Sequence, residues 1–345
     1  MEYKNLKSKK ILVTGAGGFI RSHLVEELVK VGARVRAFVK YNSRNDWGML
    51  EFLPKDIMKE VEVIAGDIQD SFFVRKAVKG CNIVLHLAAL IGIPYSYVAP
   101  KHYIRVNVEG TLNILQACLD EGIEKIVHTS TSEVYGTAKY VPIDENHPIN
   151  PQSPYAASKA AADKLAESYY LSFGLPIVII RPFNTFGPRQ SARAVIPAVI
   201  SQALWSRKSY LTGQALKKKI VVKLGNLEPI RDLTYVKDTV RGFFAVATAQ
   251  DCTGEVFNVG TGCGITIGEL VETISKIMNE EIHIEIDKKR MRPEKSEVME
   301  LICDYSKAKQ VIGWEPEYSL EEGLIKTIEW IEKHISRYKI DIYNI

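Results

Sequence analysis

Apolar positions in the first half of the chain follow two alternating rhythms. Short apolar runs recur at "KILVTG" (10–15), "RVRAFV" (34–39), "VEVIAGD" (61–67), "IVLHLAA" (83–89), "KIVHTST" (125–131) and "PIVIIRP" (176–182). Several are apolar nearly throughout, as expected of strands covered on both faces. Between them lie segments such as "SHLVEELVKVG" (22–32) and "NVEGTLNILQACLDEG" (107–122). Their apolar residues return every three to four positions, which predicts amphipathic helices. Strands alternating with helices predict βαβ units with right-handed crossovers, and so an α/β, doubly wound parallel sheet.

The alternation breaks down after about Arg181. Segment 183–235 is mixed and includes the basic run Lys217, Lys218, Lys219. Two helices stand out beyond it. "TIGELVETISKIM" opens on Thr266 as N-cap, and "SLEEGLIKTIEWIEKHI" opens on a capping pattern at Ser319. The expected division is a Rossmann-like dinucleotide domain over 1–182 and a smaller mixed α/β substrate-binding region over 183–345. The two are expected to interleave, with part of 236–265 returning to the first sheet.

Composition narrows the function classes. The chain has 345 residues and a net charge of +4, too mild to imply nucleic acid. No uninterrupted apolar run is long enough to span a membrane, and the polar start "MEYKNLKSKK" carries no signal-peptide pattern. Cys81, Cys118, Cys252, Cys263 and Cys303 are scattered without a C-x-x-C pair. That argues against a disulfide framework or a metal site and for reduced thiols in a cytoplasmic protein. His86 and His128 lie inside strand runs and are expected to be core or backbone-bonded.

Chemistry enters at the ends of the predicted strands. In "ILVTGAGGFIRSHLVEELV", Gly15 and Gly18 allow a tight turn, so that helix N-terminal amides can face a pyrophosphate. The third glycine of the pattern would fall at position 21, where this chain has Arg21. The second strand runs into Lys40, Tyr41, Asn42, Ser43 and Arg44, and Asp46 is expected to lie beyond reach of a ribose. Cations suit a 2′-phosphate, so NADP is the favoured cofactor and NAD the alternative. Asp67 is placed to accept from an adenine amino group.

"TSTSEVYG" (129–136) sets Thr131, Ser132 and Glu133 side by side, and "SPYAASK" (153–159) sets Tyr155 four residues before Lys159. A tyrosine and lysine at that spacing share a helix face. The ammonium, together with the positive nicotinamide ring, is expected to favour the phenolate, which can take a proton from a sugar hydroxyl during oxidation. Glu133 adds a second base. Oxidation of a hexose at C4 acidifies the C5 proton, a carboxylate can remove it, and the C6 hydroxyl then leaves as water.

"TGAGGFI", "HLAAL", "TSTSEVYG", "SPYAASK", "RPFNTFGPRQ", "RDLTYVKD" and "IGWEPEYSLEEGL" together resemble the extended short-chain dehydrogenase/reductase family, specifically its NAD(P)-dependent sugar-nucleotide epimerases and dehydratases. "YNSRNDWG", "LIGIPYSYVAP" and "RPFNTFGPRQSARAVIP" look most like the nucleotide-activated N-acetylglucosamine 4,6-dehydratases of legionaminic acid biosynthesis. The resemblance implies Tyr155 as base, Lys159 as its partner and ribose ligand, and Thr131 as hydroxyl donor. It lays Gly15, Gly18, Phe19, Ile20, Ile68, Leu87, Ala88, Ala89, Asn107 and Pro182 along the cofactor, with Lys40, Arg44 and Asp67 at its adenosine end. Asn184, Arg231 and Arg292 would hold a UDP- or GDP-linked sugar diphosphate, with Arg193 and Val195 near the base or sugar. Many dehydratases carry Thr-Asp-Glu where this chain has Thr131-Ser132-Glu133, and Ser132 replaces the aspartate only by relaying through water. Thr-Ser-Glu also resembles GDP-mannose 4,6-dehydratases and, equally, UDP-glucuronate decarboxylases. The competing readings are therefore a decarboxylase or C4 epimerase and, in another class, a non-catalytic dinucleotide-binding protein. The resemblance further implies a homodimer paired through "NVEGTLNILQACLDEG" and "SPYAASKAAADKLAESYYLSFG".

Overall fold

The first six apolar runs become six parallel strands of one sheet in the computed structural model, which describes residues 3–211, 220–340 and 342–343. They are β1 (Lys10–Thr14), β2 (Arg34–Lys40), β3 (Val61–Gly66), β4 (Ile83–His86), β5 (Lys125–Thr129) and β6 (Ile177–Pro182). Later strands are β7 (Asn184–Phe186), β8 (Ile220–Leu224), β9 (Ile230–Tyr235), β10 (Val256–Val259), β11 (Gly264–Thr266), β12 (Ile282–Ile286) and β13 (Glu300–Leu301). The main sheet runs β3-β2-β1-β4-β5-β6-β10, so the late strand β10 pairs with β6 at one edge. Every pairing in it is parallel.

Successive side chains of a strand point to opposite faces, and β1 shows both being used. Ile11 and Val13 join one apolar layer with Leu24, Leu28, Phe243 and Phe257, while Leu12 joins the other with Phe38, Val84, Ile114 and Ile126. Each layer is covered by helices, which is why the strands carry so few polar residues. β3, at the sheet edge, is the exception and is largely half-exposed.

The strand order reverses between β1 and β4, leaving a crevice at their carboxyl ends. The helix Phe19–Lys30 starts there, directly after the glycine turn. The helix Pro154–Phe173 packs against Gly110–Asp120 and brings Tyr155 and Lys159 to the same end of the sheet. Its start is set by Ser153, whose hydroxyl accepts from the Ala156 amide at 3.1 Å, with Pro154 at the first helical position.

Beyond β6 the chain builds a second sheet, β11-β9-β13 with β7 also on β9, and a separate parallel pair, β8 with β12. A third apolar cluster, including Phe186, Val199, Leu270 and Leu324, fills this region. Thr266 and Ser319 both cap their helices in reciprocal boxes with Glu269 and Glu322. The buried carboxylate of Asp238 accepts from the amides of Glu317 and Tyr318 at 3.0 and 3.1 Å, tying "RDLTYVKD" to "IGWEPEY". Lys217, Lys218 and Lys219 lie outside the described residues. Among the described residues no helix is long and apolar enough to cross a membrane, and no group of three or more His, Cys, Asp or Glu is placed to hold a metal. The five cysteines are free.

Candidate active site

The crevice at the reversal point is a cleft of about 480 Å³. Gly15 turns the chain at its floor with φ of +67°, and a Cβ there would come within 2.9 Å of Ala88 Cα. Only glycine suits both demands. Gly18 is the N-cap of Phe19–Lys30 and supplies no side-chain cap, so the first-turn amides are left for another partner. Gly15, Gly18, Asp67, Ile68, Ala88 and Ala89 line the cleft, with Lys40 and Arg44 at its outer end. Asp67 also accepts from the Gln69 amide at 3.0 Å. An uncapped helix start and a glycine floor fit a dinucleotide pyrophosphate. One residue does not: the Arg21 side chain enters the same cleft and donates to the Leu87 carbonyl.

One sequence expectation needs correction here. Asp46 lines the cleft together with Arg44, because Asn42 folds the loop back by accepting from the Arg44 and Asp46 amides at 3.1 Å each. Asn107 is fully buried and does not face the cleft. Its side chain accepts from the Leu90 amide at 2.8 Å and donates to the Leu90 carbonyl and the Ser158 hydroxyl, so it braces the wall. Phe19 and Ile20 are the first two residues of the helix whose first-turn amides are left free. Their side chains pack into the apolar clusters, Leu87 is pinned through its amide to the Thr14 hydroxyl, and Pro182 is the last residue of β6. His86 and His128 are core residues bonded to side chains. His86 bridges Thr14 and Thr111, and His128 meets Asp163 at 3.2 Å.

β5 ends at Thr129, and the chain turns through a short 3-10 helix, Ser132–Tyr135. Thr131 caps that turn by accepting from the Glu133 amide at 3.2 Å. Thr131, Ser132, Glu133, Tyr155 and Lys159 are all buried. Tyr155 feels both Thr131 and Glu133 directly, so the structure brings these residues together. Without the dinucleotide, Lys159 alone does not make Tyr155 a phenolate. Burial pushes the Tyr155 phenol well up, and the interactions with Thr131 and Arg21 offset this only in part. Burial also pushes the Lys159 ammonium down to about 8, with Asp163 opposing and Arg21 adding to the shift. Desolvation outweighs pairing for both groups.

Asp163 was not singled out from the sequence, although Tyr155, Lys159 and Asp163 repeat at helical spacing. It accepts from the Ser130 hydroxyl at 2.6 Å and from Arg181 at 3.1 Å. Burial works to raise its carboxyl, but His128, Arg181 and Lys159 hold it down at about 2. This buried network clamps the Tyr155 helix to the ends of β5 and β6.

The opposite wall comes from the second region. Arg292 Nη1 lies 4.0 Å from Glu133 and 3.4 Å from Glu297, and Arg231 Nη2 lies 3.5 Å from Glu297. Arg231 also donates to the Val298 carbonyl at 2.6 Å. Burial draws its guanidinium down, with Glu133 and Glu297 opposing. Arg292 Nη1 and Asn184 Oδ1 are buried without a hydrogen-bond partner. Glu297 is a further acidic residue that sequence reasoning passed over; its only signal was its place in "RPEKSE". Ser296 and Tyr97 bond at 2.7 Å, and Ser296 donates to the Gln152 carbonyl at 2.5 Å, so the loop is fastened to the catalytic side. Tyr103 meets Tyr155 edge-on at 6.2 Å. Arg193 lies on the exposed side near Gly92 and Tyr103, and Val195 packs toward the third apolar cluster.

Comparison with known proteins agrees with this geometry. The family model described as GDP-mannose 4,6 dehydratase matches residues 12–327. A dTDP-D-glucose 4,6-dehydratase of Mus musculus is 32% identical over 340 residues, covering 96% of this chain and 91% of that protein. A dTDP-glucose 4,6-dehydratase from Streptomyces venezuelae, solved with NAD bound, superposes with a TM-score of 0.80 at 27% identity over 96% of this chain and 99% of that one. A UDP-N-acetylglucosamine 4-epimerase from Methanobrevibacter ruminantium, solved with UDP-N-acetylmuramic acid, gives 0.82 at 32% identity over 95% and 99%. With a Rossmann-like sheet, a glycine turn at its reversal point and Thr131, Tyr155 and Lys159 gathered beside it, the chain belongs to the GDP-mannose 4,6 dehydratase family, within the NAD(P)-dependent sugar-nucleotide dehydratases and epimerases.

Proposed function

We propose that the protein is a sugar-nucleotide 4,6-dehydratase acting on a nucleoside-diphosphate N-acetylglucosamine, giving a 4-keto-6-deoxy sugar. The observation that carries this reading is Glu133, a buried carboxylate beside Tyr155 at the strand-end turn. A C4 epimerase has no step that needs a second base. When bound, the dinucleotide supplies the oxidising and reducing equivalent. Gly15, Gly18, Ala88 and Ala89 hold it, and Lys159 bonds its ribose. Tyr155 takes the C4 hydroxyl proton with Thr131 orienting that hydroxyl, and Glu133 removes the C5 proton once C4 is a ketone. Ser132 relays a proton through water to the departing C6 hydroxyl. Arg231, Arg292 and Asn184 hold the diphosphate. Arg292 supports that role, because its Nη1 meets only Glu297 and Glu133, at 3.4 and 4.0 Å, in loose ion pairs that a diphosphate can replace.

The N-acetylglucosamine form rests on "YNSRNDWG", "LIGIPYSYVAP" and "RPFNTFGPRQSARAVIP", and a place in legionaminic acid synthesis rests on the same stretches. Mass spectrometry of products from a panel of UDP- and GDP-sugars tests it. Loss of one water from an N-acetylglucosamine nucleotide is expected; reaction only with other sugars would sink the substrate assignment. Ser132 in place of an acid favours a second reading, a C4 epimerase or a UDP-glucuronate decarboxylase. An isomer of unchanged mass or loss of carbon dioxide would establish one of these. NADP is the proposed cofactor. Lys40 and Arg44 support it, and the Asp46 carboxylate is engaged by the Gly48 amide at 2.6 Å. Tighter binding of NAD than NADP would reverse that choice. A homodimer through Gly110–Asp120 and Pro154–Phe173 is supported by the exposed Leu112, Leu171 and Phe173. A monomer mass by light scattering would exclude it.

A further inference from the structure

Arg21 is the third residue of the helix Phe19–Lys30, where the dinucleotide pattern places a glycine for close packing. Its side chain folds back over Gly18, and a Cβ built on Gly18 would come within 3.0 Å of Arg21 Cδ. Its Nη2 donates to the carbonyl of Leu87, the first residue after β4. One arginine thus takes up both the open face of the turn glycine and a carbonyl of the cleft wall. On the other side the turn is closed by the loop after β2, where the Met49 amide donates to the Gly17 carbonyl at 2.9 Å. The guanidinium lies at the catalytic end of the cleft, close enough to lower Lys159 and to draw on Tyr155. The opposite end carries Lys40, Arg44 and Asp67.

We propose that Arg21 is a built-in occupant of the nicotinamide-side half of the cofactor cleft, which a full dinucleotide must displace and which thereby sets cofactor affinity. The inference rests on reading the cleft as a dinucleotide site. Two physical effects act in the same direction. Displacing the guanidinium breaks its bond to Leu87, and hydrogen bonds to charged groups are among the stronger ones. An oxidised nicotinamide ring then brings a positive charge toward Arg21. A nucleoside diphosphate differs because it ends at the second phosphate: it meets Arg21 only where the side chain crosses Gly18, leaves the bond to Leu87 in place, and gains the guanidinium as a counter-charge. Arg21 therefore tilts the cleft away from whole dinucleotides and toward nucleoside diphosphates.

Titration calorimetry of the full chain with NAD, NADP and ADP tests this on the native protein, Arg21→Gly and Arg21→Ala, with thermal melts confirming that each variant is folded. Both dinucleotides are expected to bind at least about tenfold more tightly to the glycine variant, about 1.4 kcal/mol. The alanine variant should follow in the same direction, and ADP should be unchanged or weaker. Dinucleotide affinity that is unchanged or reduced in both variants would overturn the proposal and make Arg21 neutral or a contributor. Equal tightening of ADP would also overturn it, because the obstacle would not be confined to the nicotinamide side. If ADP bound and no dinucleotide bound any folded variant, the dinucleotide reading would fall together with the proposal.

Discussion

At the end of β5 the polar groups are walled in by protein, and burial decides their state: Tyr155 is pushed up and Lys159 down. Across the site, Arg231 and Arg292 stand opposite carboxylates of the chain itself, Glu133 and Glu297. The first wall is assembled by strand ends and one helix, locked by Asp163, His128 and Arg181. The second joins Arg231 on β9 to Arg292 on a loop fastened by Ser296 to Tyr97 and Gln152. The difference separates two tasks. Proton transfer calls for groups held rigidly, whereas the diphosphate capture proposed for the arginines calls for cations whose partners can be exchanged.

The largest expected effect falls on the rigid wall. Glu133→Gln should lower dehydration by roughly 10²–10⁴-fold while leaving C4 oxidation. Product mass and the absorbance of the reduced dinucleotide read the two steps separately. Dehydration at the native rate would assign the C5 base elsewhere. Next, Asp163→Ala leaves Arg181 buried without its carboxylate and should cost about 3–5 kcal/mol in denaturant unfolding. A loss within error of zero would show that the clamp is dispensable. The same residue sets a pH dependence. Its folded value of about 2 lies below the ordinary 3.8, so its contribution is present above the ordinary value and is lost as pH falls through about 2.

The capture wall should respond differently. Arg292→Ala is expected to raise the sugar-nucleotide KM by about 10–100-fold, the value of one charge-assisted bond, with little change in stability. A fall in kcat at constant KM would move Arg292 from binding to chemistry. The smallest effect distinguishes the two walls by pH. Lys159 is charged below about 8 and neutral above it, so dinucleotide affinity should fall as pH rises through that value. Removing Arg21 should move this midpoint upward, because Arg21 helps hold Lys159 down. A midpoint that stays put in Arg21→Gly would show that the two cations do not interact.

Much of the rigid wall was legible in the sequence because it rests on local periodicity. Six apolar runs, the Gly15–Gly18 turn and the four-residue step from Tyr155 to Lys159 each depend on spacing alone. The caps at Thr266 and Ser319 were readable for the same reason. Asp163 was missed because its partners, Ser130 just past β5 and Arg181 in β6, are remote in sequence. The bracing role of Asn107 was not legible because nothing local says that Leu90 and Ser158 take up its amide. The upward push of burial on Tyr155 was not legible, because a neighbouring lysine is visible in a sequence and the depth of burial is not. Glu297 faces Arg231 only after β13 and β9 have been laid side by side.

The most direct test of Glu133 as an elimination base is to run the reaction on a UDP- or GDP-N-acetylglucosamine in heavy water and weigh the product. The account predicts loss of one water together with one solvent deuterium held at C5, since the proton removed there is replaced from solvent. A product of unchanged mass without deuterium would mean that C5 is never deprotonated, and would contradict the dehydratase reading.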